Sequence, residues 1–182
     1  MTSRDPRAFL EWEAHQPESH ELFGGKVRLQ AGGTIGHNTV ADNLHVALAT
    51  RVNRANYRAW RGSTRVRAPA GEITYPDIVV SGTPRRPEEL FISDPISIVE
   101  VLSAPTSNLE LTRKRWVYFS IPTLQQLVYV SPDTAKLERV SREPDGSWRS
   151  VFVTGLDADL ELACLDLTLP MAEIYADTAV AA

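Results

Sequence analysis

Apolar residues recur along this chain with two different periods, and the switches between them mark out its elements. Asp5-Pro6 reads as a helix start, with Phe9, Leu10 and Trp12 available for burial before Pro17 stops it. Residues 20–30 read as two short strands joined by a tight turn at Gly24-Gly25. From Ile35, the residues Val40, Leu44, Ala47, Leu48 and Val52 return at helical spacing, which predicts one long amphipathic helix ending near Asn53. Extended segments follow at 57–60, 64–68, 73–80 and 96–102. Thr106 or Ser107 is placed to cap a helix that runs through Tyr118 and is closed by Pro122. Residues 127–130 read as a strand, 136–153 as a hairpin around Pro144-Asp145-Gly146, and 160–176 as a short strand followed by a terminal helix opening at Pro170. This order predicts a mixed-sheet α/β or α+β domain, a central mixed β-sheet flanked by helices.

Composition narrows the picture. With 182 residues, 43% hydrophobic and 23% charged, the chain is expected to form a single domain over 1–182. A domain of that size buries roughly 70% of the surface its unfolded chain exposes, so it folds without disulfide staples. Cys164 is the only cysteine, which excludes an internal disulfide framework and a cysteine-cluster zinc site and suits a reducing cytoplasm. It is expected to be a small buried apolar residue. The first twenty residues hold no leader-like apolar run, and no window approaches the roughly 20 apolar residues of a membrane span, so a soluble cytoplasmic protein is expected.

A net charge of −4 argues against bulk adhesion to nucleic acid, but the charges are unevenly spread. Between Arg51 and Arg67 stand six arginines (Arg51, Arg54, Arg58, Arg61, Arg65 and Arg67) and no acid, with Tyr57 and Trp60 interleaved. Such a stretch could track phosphates while an aromatic ring stacks on an unpaired base; the plain alternative is a solvated helix end and strand face. After Arg149 the chain carries acids and no Lys or Arg.

One carboxylate is out of place. Glu100 interrupts Pro95-Ile-Ser-Ile-Val-Glu-Val-Leu-Ser103, which otherwise reads as a strand buried on both faces. On strand periodicity Glu100 shares a face with Ile98 and Leu102, where an ionised carboxylate without a partner would cost several kcal/mol. A cation or metal is the implied companion, unless Glu100 merely caps a backbone or pairs with an arginine. Asp77 repeats the signature, since Tyr75-Pro76-Asp77 leads directly into Ile78-Val79-Val80. Two carboxylates at the ends of adjacent core strands suit a hard divalent ion, Mg²⁺ foremost, which can acidify a water and offset charge on a phosphate. Lys114 lies at helical spacing between Leu111 and Tyr118, on the face that should meet the sheet. Its ammonium could polarise the water or the phosphate. Alternatively it snorkels to solvent or pairs with Glu110 one turn earlier.

The order Tyr-Pro-Asp-Ile-Val-Val (75–80), Ile-Val-Glu-Val-Leu-Ser (98–103) and Glu-Leu-Thr-Arg-Lys-Arg-Trp-Val-Tyr (110–118) resembles the Uma-type endonucleases, a bacterial branch of the PD-(D/E)xK superfamily. The resemblance runs over roughly 8–176 and implies a restriction-endonuclease-like fold. The superfamily's lysine usually stands two residues after the acid, where this chain has Leu102; the matching residue here is Lys114, moved to the following helix. His-Glu-Leu-Phe-Gly-Gly (20–25) resembles the family's early hairpin, which makes Glu21 part of the acidic cluster by analogy, with Gly24 standing where an acid is usual. Glu110 stands where aspartate is usual before the lysine, and His37 matches a histidine often found at the start of the long helix.

The resemblance implies hydrolysis of DNA phosphodiesters: Asp77, Glu100 and the Val101 carbonyl hold Mg²⁺ or Mn²⁺, Lys114 positions the water, and Glu21 completes a second metal position. A homodimer is expected by the same analogy. The competing expectation is a binding module that keeps the fold without the chemistry. A carboxylate-pair glycosidase gives no reason for a core-facing lysine. A serine-hydrolase triad lacks its Gly-x-Ser-x-Gly elbow, and the four histidines (His15, His20, His37, His45) all fall early in the chain without metal-site clustering.

Overall fold

Asp5 opens α1 (Pro6–Glu13) because its carboxylate accepts the Arg7 N–H at 3.0 Å, while Pro6 supplies a preset φ and has no N–H to leave unpaired. The hairpin β1 (His20–Phe23) and β2 (Lys26–Leu29) pairs Phe23 with Lys26, so Gly24 and Gly25 alone make the turn. Both have positive φ, +58° and +71°, the conformation a two-residue hairpin turn of this hand requires. These elements belong to a computed structural model that describes residues 5–30, 32–82, 84–103 and 108–181, the last span with side chains from Leu111 onward.

Thr34 caps α2 (Ile35–Arg51) by accepting the His37 N–H at 3.2 Å. Then come β3 (Tyr57–Arg61), β4 (Val66–Arg67), β5 (Ile73–Thr74), β6 (Ile78–Gly82), β7 (Pro95–Val101), α3 (Asn108–Phe119), β8 (Gln126–Val130), β9 (Lys136–Arg142), β10 (Trp148–Thr154), β11 (Asp159–Leu162), β12 (Leu167–Pro170) and α4 (Met171–Ile174). The expected cap of α3 at Thr106 or Ser107 lies outside the described residues.

The central sheet has the order β10-β9-β8-β7-β6-β3 and is mixed: β7 and β8 run parallel and the other neighbours antiparallel. One face, with Ile78, Val80, Val99, Val101, Val128 and Val130, packs on α2 and the C-terminal β11–β12–α4 unit. The other face, with Val79, Ile98, Leu127 and Tyr129, packs on Tyr118, Ile121 and Leu124 from α3 and the turn after it. A second sheet, β2-β1-β5-β4, carries the early hairpin, and Phe9 of α1 packs against its Leu22 and Ile73.

Two expectations need correction. The segment 73–80 is two strands in two sheets, because Pro76 has no N–H for a continuing ladder and the chain changes sheets across Tyr75-Pro76-Asp77. The tail is a hairpin before its helix: a short 3₁₀ turn, Ala163–Leu165, ends at Asp166 with φ +54° and returns the chain as β12. The terminal helix is then a single turn starting at Met171, with Pro170 as its cap. Cys164 is half-buried, and burial pushes its thiol up to about 12.

Candidate active site

The change of sheets at Pro76 is what places Asp77. It sits one residue before Ile78, which pairs with Val99, so Asp77 lies at the same end of the central sheet as Glu100 on the neighbouring strand. The backbone ties the two together: the Val101 N–H donates to Asp77 Oδ2 at 2.7 Å. Glu100 is 8% exposed and points to the α3 side with Ile98, as its periodicity predicts.

Lys114 meets it there. Its Nζ lies 3.0 Å from Glu100 Oε1 and 3.1 Å from Glu21 Oε1, so one ammonium joins a core strand to the early hairpin. The same Glu21 oxygen also accepts the Tyr75 N–H at 2.9 Å. Tyr118, one turn after Lys114, donates its hydroxyl to Glu100 and lies 3.3 Å from Thr74 Oγ1. Lys114 is thus a paired interior cation rather than a snorkelling one, and the Glu110 side chain lies outside the described residues.

Burial dominates the electrostatics. It raises the Glu100 carboxyl to about 7; Lys114 opposes the rise, and the Asp77 and Glu21 carboxylates add to it. Burial alone would lower Lys114, but Glu100 and Glu21 together hold it above the usual lysine range. Lys114 therefore stays charged at neutral pH while Glu100 is poised to titrate there.

His37, in the first turn of α2, approaches from the opposite wall. Its Nε2 lies 3.0 Å from the Val101 carbonyl oxygen and 3.5 Å from Asp77 Oδ1. The hydrogen bond to Asp77 raises the imidazole above its ordinary value, against the lowering effect of burial.

Behind the site stands a buried network the sequence did not disclose. Glu13, 4% exposed at the end of α1, accepts the Tyr75 hydroxyl at 2.5 Å, Arg65 Nε at 3.0 Å and the His20 N–H at 2.9 Å. It clamps the residue whose N–H holds Glu21. The only hint in the sequence was an acid one residue after Trp12 on the buried side of α1. Tyr118 was legible as an apolar position but not as a donor to Glu100.

These groups line a cleft of about 700 Å³ that contains Glu21, His37, Asp77, Glu100, Val101 and Lys114. Of the six arginines, Arg61 lines it, bridged to Asp42. The others do not. Arg51 pairs with Glu173 at the far end of α2, about 21 Å along the helix from His37. Arg58 lies over the Trp60 ring, Arg65 belongs to the Glu13 network, and Arg67 lies over the Phe91 ring. Arg54 is exposed in the turn before β3. The stretch is dispersed because β3 and β4 belong to different sheets.

The oxygen chemistry fits a hard divalent cation. Asp77 Oδ1 and the Val101 carbonyl oxygen both lie near one atom, His37 Nε2, and Glu100 precedes Val101 on the same strand. Among the described residues no three His, Cys, Asp or Glu side chains close into a metal-sized group by themselves. The main-chain carbonyl and retained water would therefore complete the shell, as Mg²⁺-type sites commonly require. Among the described residues, no helix is long and apolar enough to cross a membrane.

Residues 6–172 match the family model Uma2, described as "Putative restriction endonuclease", and the chain belongs to that family. It is 27% identical over 172 residues to the uncharacterized protein slr1290 of Synechocystis sp., covering 93% of this chain and 90% of that one. A second Synechocystis protein, the uncharacterized sll1609, is 23% identical over 163 residues, 87% of this chain and 92% of the other. The crystal structure of "a putative nuclease belonging to DUF820" from Anabaena variabilis superposes with a TM-score of 0.76 at 18% identity, covering 94% of this chain and 97% of that one. The two chains share one fold.

Proposed function

We propose that this Uma2-family chain is an endonuclease that hydrolyses DNA phosphodiester bonds with a divalent cation, Mg²⁺ or Mn²⁺, held by Asp77, Glu100 and the Val101 carbonyl. The observation that carries it is the convergence of Asp77, Glu100 and Lys114 in one cleft, with the lysine charged and bonded to Glu100 at 3.0 Å. A carboxylate pair serving only as a structural ion pair would not need a second acid, Glu21, on the same ammonium.

The cation, when bound, supplies a more acidic water and offsets the charge developing on the phosphate. Lys114 Nζ, held between two carboxylates, donates towards a non-bridging phosphate oxygen or the water. Glu21 fixes that ammonium and offers an oxygen to a second cation. Arg61 at the cleft wall contacts the flanking phosphate backbone. The water oxygen forms the new P–O bond and gives up its proton to solvent, one ester P–O bond breaks, and the departing oxygen takes a proton from solvent. A single site cuts one strand, so a double-strand break calls for two copies of the chain, consistent with a homodimer.

The test uses covalently closed duplex and single-stranded circular DNA, each with Mg²⁺, Mn²⁺ or chelator. Nicked or linear product that chelator abolishes supports the reading. DNA retained on the protein but never cut, under either metal, points instead to a binding module on the nuclease fold.

A further inference from the structure

We propose that His37 is a ligand of the cation site, and that the imidazole turns the preference of the site from Mg²⁺ towards Mn²⁺. The inference rests on the cation-dependent reading above and goes beyond it, since carboxylates and a carbonyl alone make an all-oxygen site.

The geometry points this way from the ring outward. Adjacent ligands of an octahedral ion with bonds of about 2.1 Å stand about 3 Å apart. His37 Nε2 lies 3.0 Å from the Val101 oxygen, the spacing of neighbouring ligands, and 3.5 Å from Asp77 Oδ1, about half an ångström wider. The ring is held there by the fold. His37 is in the first turn of α2, whose start is fixed by the Thr34 cap on its N–H, and its side chain is 12% exposed at the cleft wall. Gly33 leaves the room the ring occupies, since a Cβ there would overlap it. A residue serving only to start a helix needs neither the enforced ring position nor two oxygens in front of its nitrogen. Ligation uses the Nε2 lone pair, with the ring proton on Nδ1, and replaces the hydrogen bond that Nε2 makes to the Val101 carbonyl. Imidazole suits transition ions, whereas Mg²⁺ favours oxygen and retained water, so the mixed set favours Mn²⁺ relative to Mg²⁺.

The test uses the tag-free, DNA-free chain with Mn²⁺ alone as the probe. Pulsed electron paramagnetic resonance of the bound Mn²⁺ should show ¹⁴N modulation from a directly bound imidazole, lost in His37→Ala. That variant should bind Mn²⁺ about tenfold or more weakly and Mg²⁺ within about threefold of wild type, whereas Asp77→Asn weakens both. Wild-type protein that binds Mn²⁺ without nitrogen modulation overturns the proposal even if the variant fails to fold, and so does a folded His37→Ala that binds Mn²⁺ as tightly as wild type. Wild-type protein that binds neither ion overturns this inference together with the cation-dependent reading.

Discussion

Lys114 on α3 and Glu100 on β7 meet at 3.0 Å inside the cleft, a contact that joins the helix on one face of the central sheet to its acid-bearing strand. Both side chains are largely withdrawn from water, so removing the cation strands a carboxylate. Lys114→Met should cost about 3–5 kcal/mol, on the order of 10 °C in melting temperature. Adding Glu100→Gln to it should recover part of that loss, read by urea unfolding of both single variants and the double. A strictly additive double variant would mean that the pair is not coupled.

The Glu100 carboxyl, raised to about 7 chiefly by burial, makes a pH prediction with a definite sign. Its folded-state value lies above its unfolded one, so the folded chain holds the extra proton between them. The contribution to stability is full below about pH 4.3 and is lost as pH rises towards 7. Glu100→Gln should flatten that part of the stability profile. Cation binding needs the ionised acid, so Mn²⁺ affinity and cleavage should both rise with pH through about 7, with proton release measurable by calorimetry in two buffers. Affinity that is level from pH 6 to 8 would count against Glu100 as a ligand.

Glu13 is 4% exposed and gathers Tyr75, Arg65 and the His20 N–H. Glu13→Ala takes the carboxylate acceptor from the Tyr75 hydroxyl and the His20 N–H, leaves Arg65 with the Tyr75 hydroxyl alone, and should destabilise by about 3–5 kcal/mol. Its effect on cleavage should fall on kcat more than KM, because Tyr75 holds Glu21 and not the substrate. Glu13→Gln, which keeps an acceptor oxygen, should restore part of both losses.

The arginines separate by location. Arg61→Ala should weaken DNA binding and lower the slope of log affinity against log salt by about one, since Arg61 lines the cleft. Arg51→Ala, at the Glu173 pair, should leave both unchanged. Equal losses from the two would mean that the DNA path runs along α2.

Much of this site was legible in the sequence because strand periodicity makes a buried charge conspicuous. Glu100 in an apolar run and Lys114 on an apolar helix stripe could each be placed by pattern alone, and the structure brings them together. The division of 73–80 between two sheets was not legible, since β-favouring residues stand on both sides of Pro76 and only tertiary pairing shows where the chain departs. The arginine stretch looked continuous because adjacency in sequence says nothing about which sheet a strand joins. Glu13 and Tyr118 act through partners 62 and 18 residues away, contacts that no local spacing encodes.

The most direct test of the central claim is cleavage of a supercoiled plasmid with Mn²⁺ by wild type, Asp77→Asn, Glu100→Gln and Lys114→Met, purified identically and matched for folded fraction by circular dichroism. Wild type should nick the plasmid, and each variant should lose at least a hundredfold in rate, about 2.7 kcal/mol in the barrier. Cutting that persists at wild-type rate in all three would contradict the assignment of this cleft as the active site.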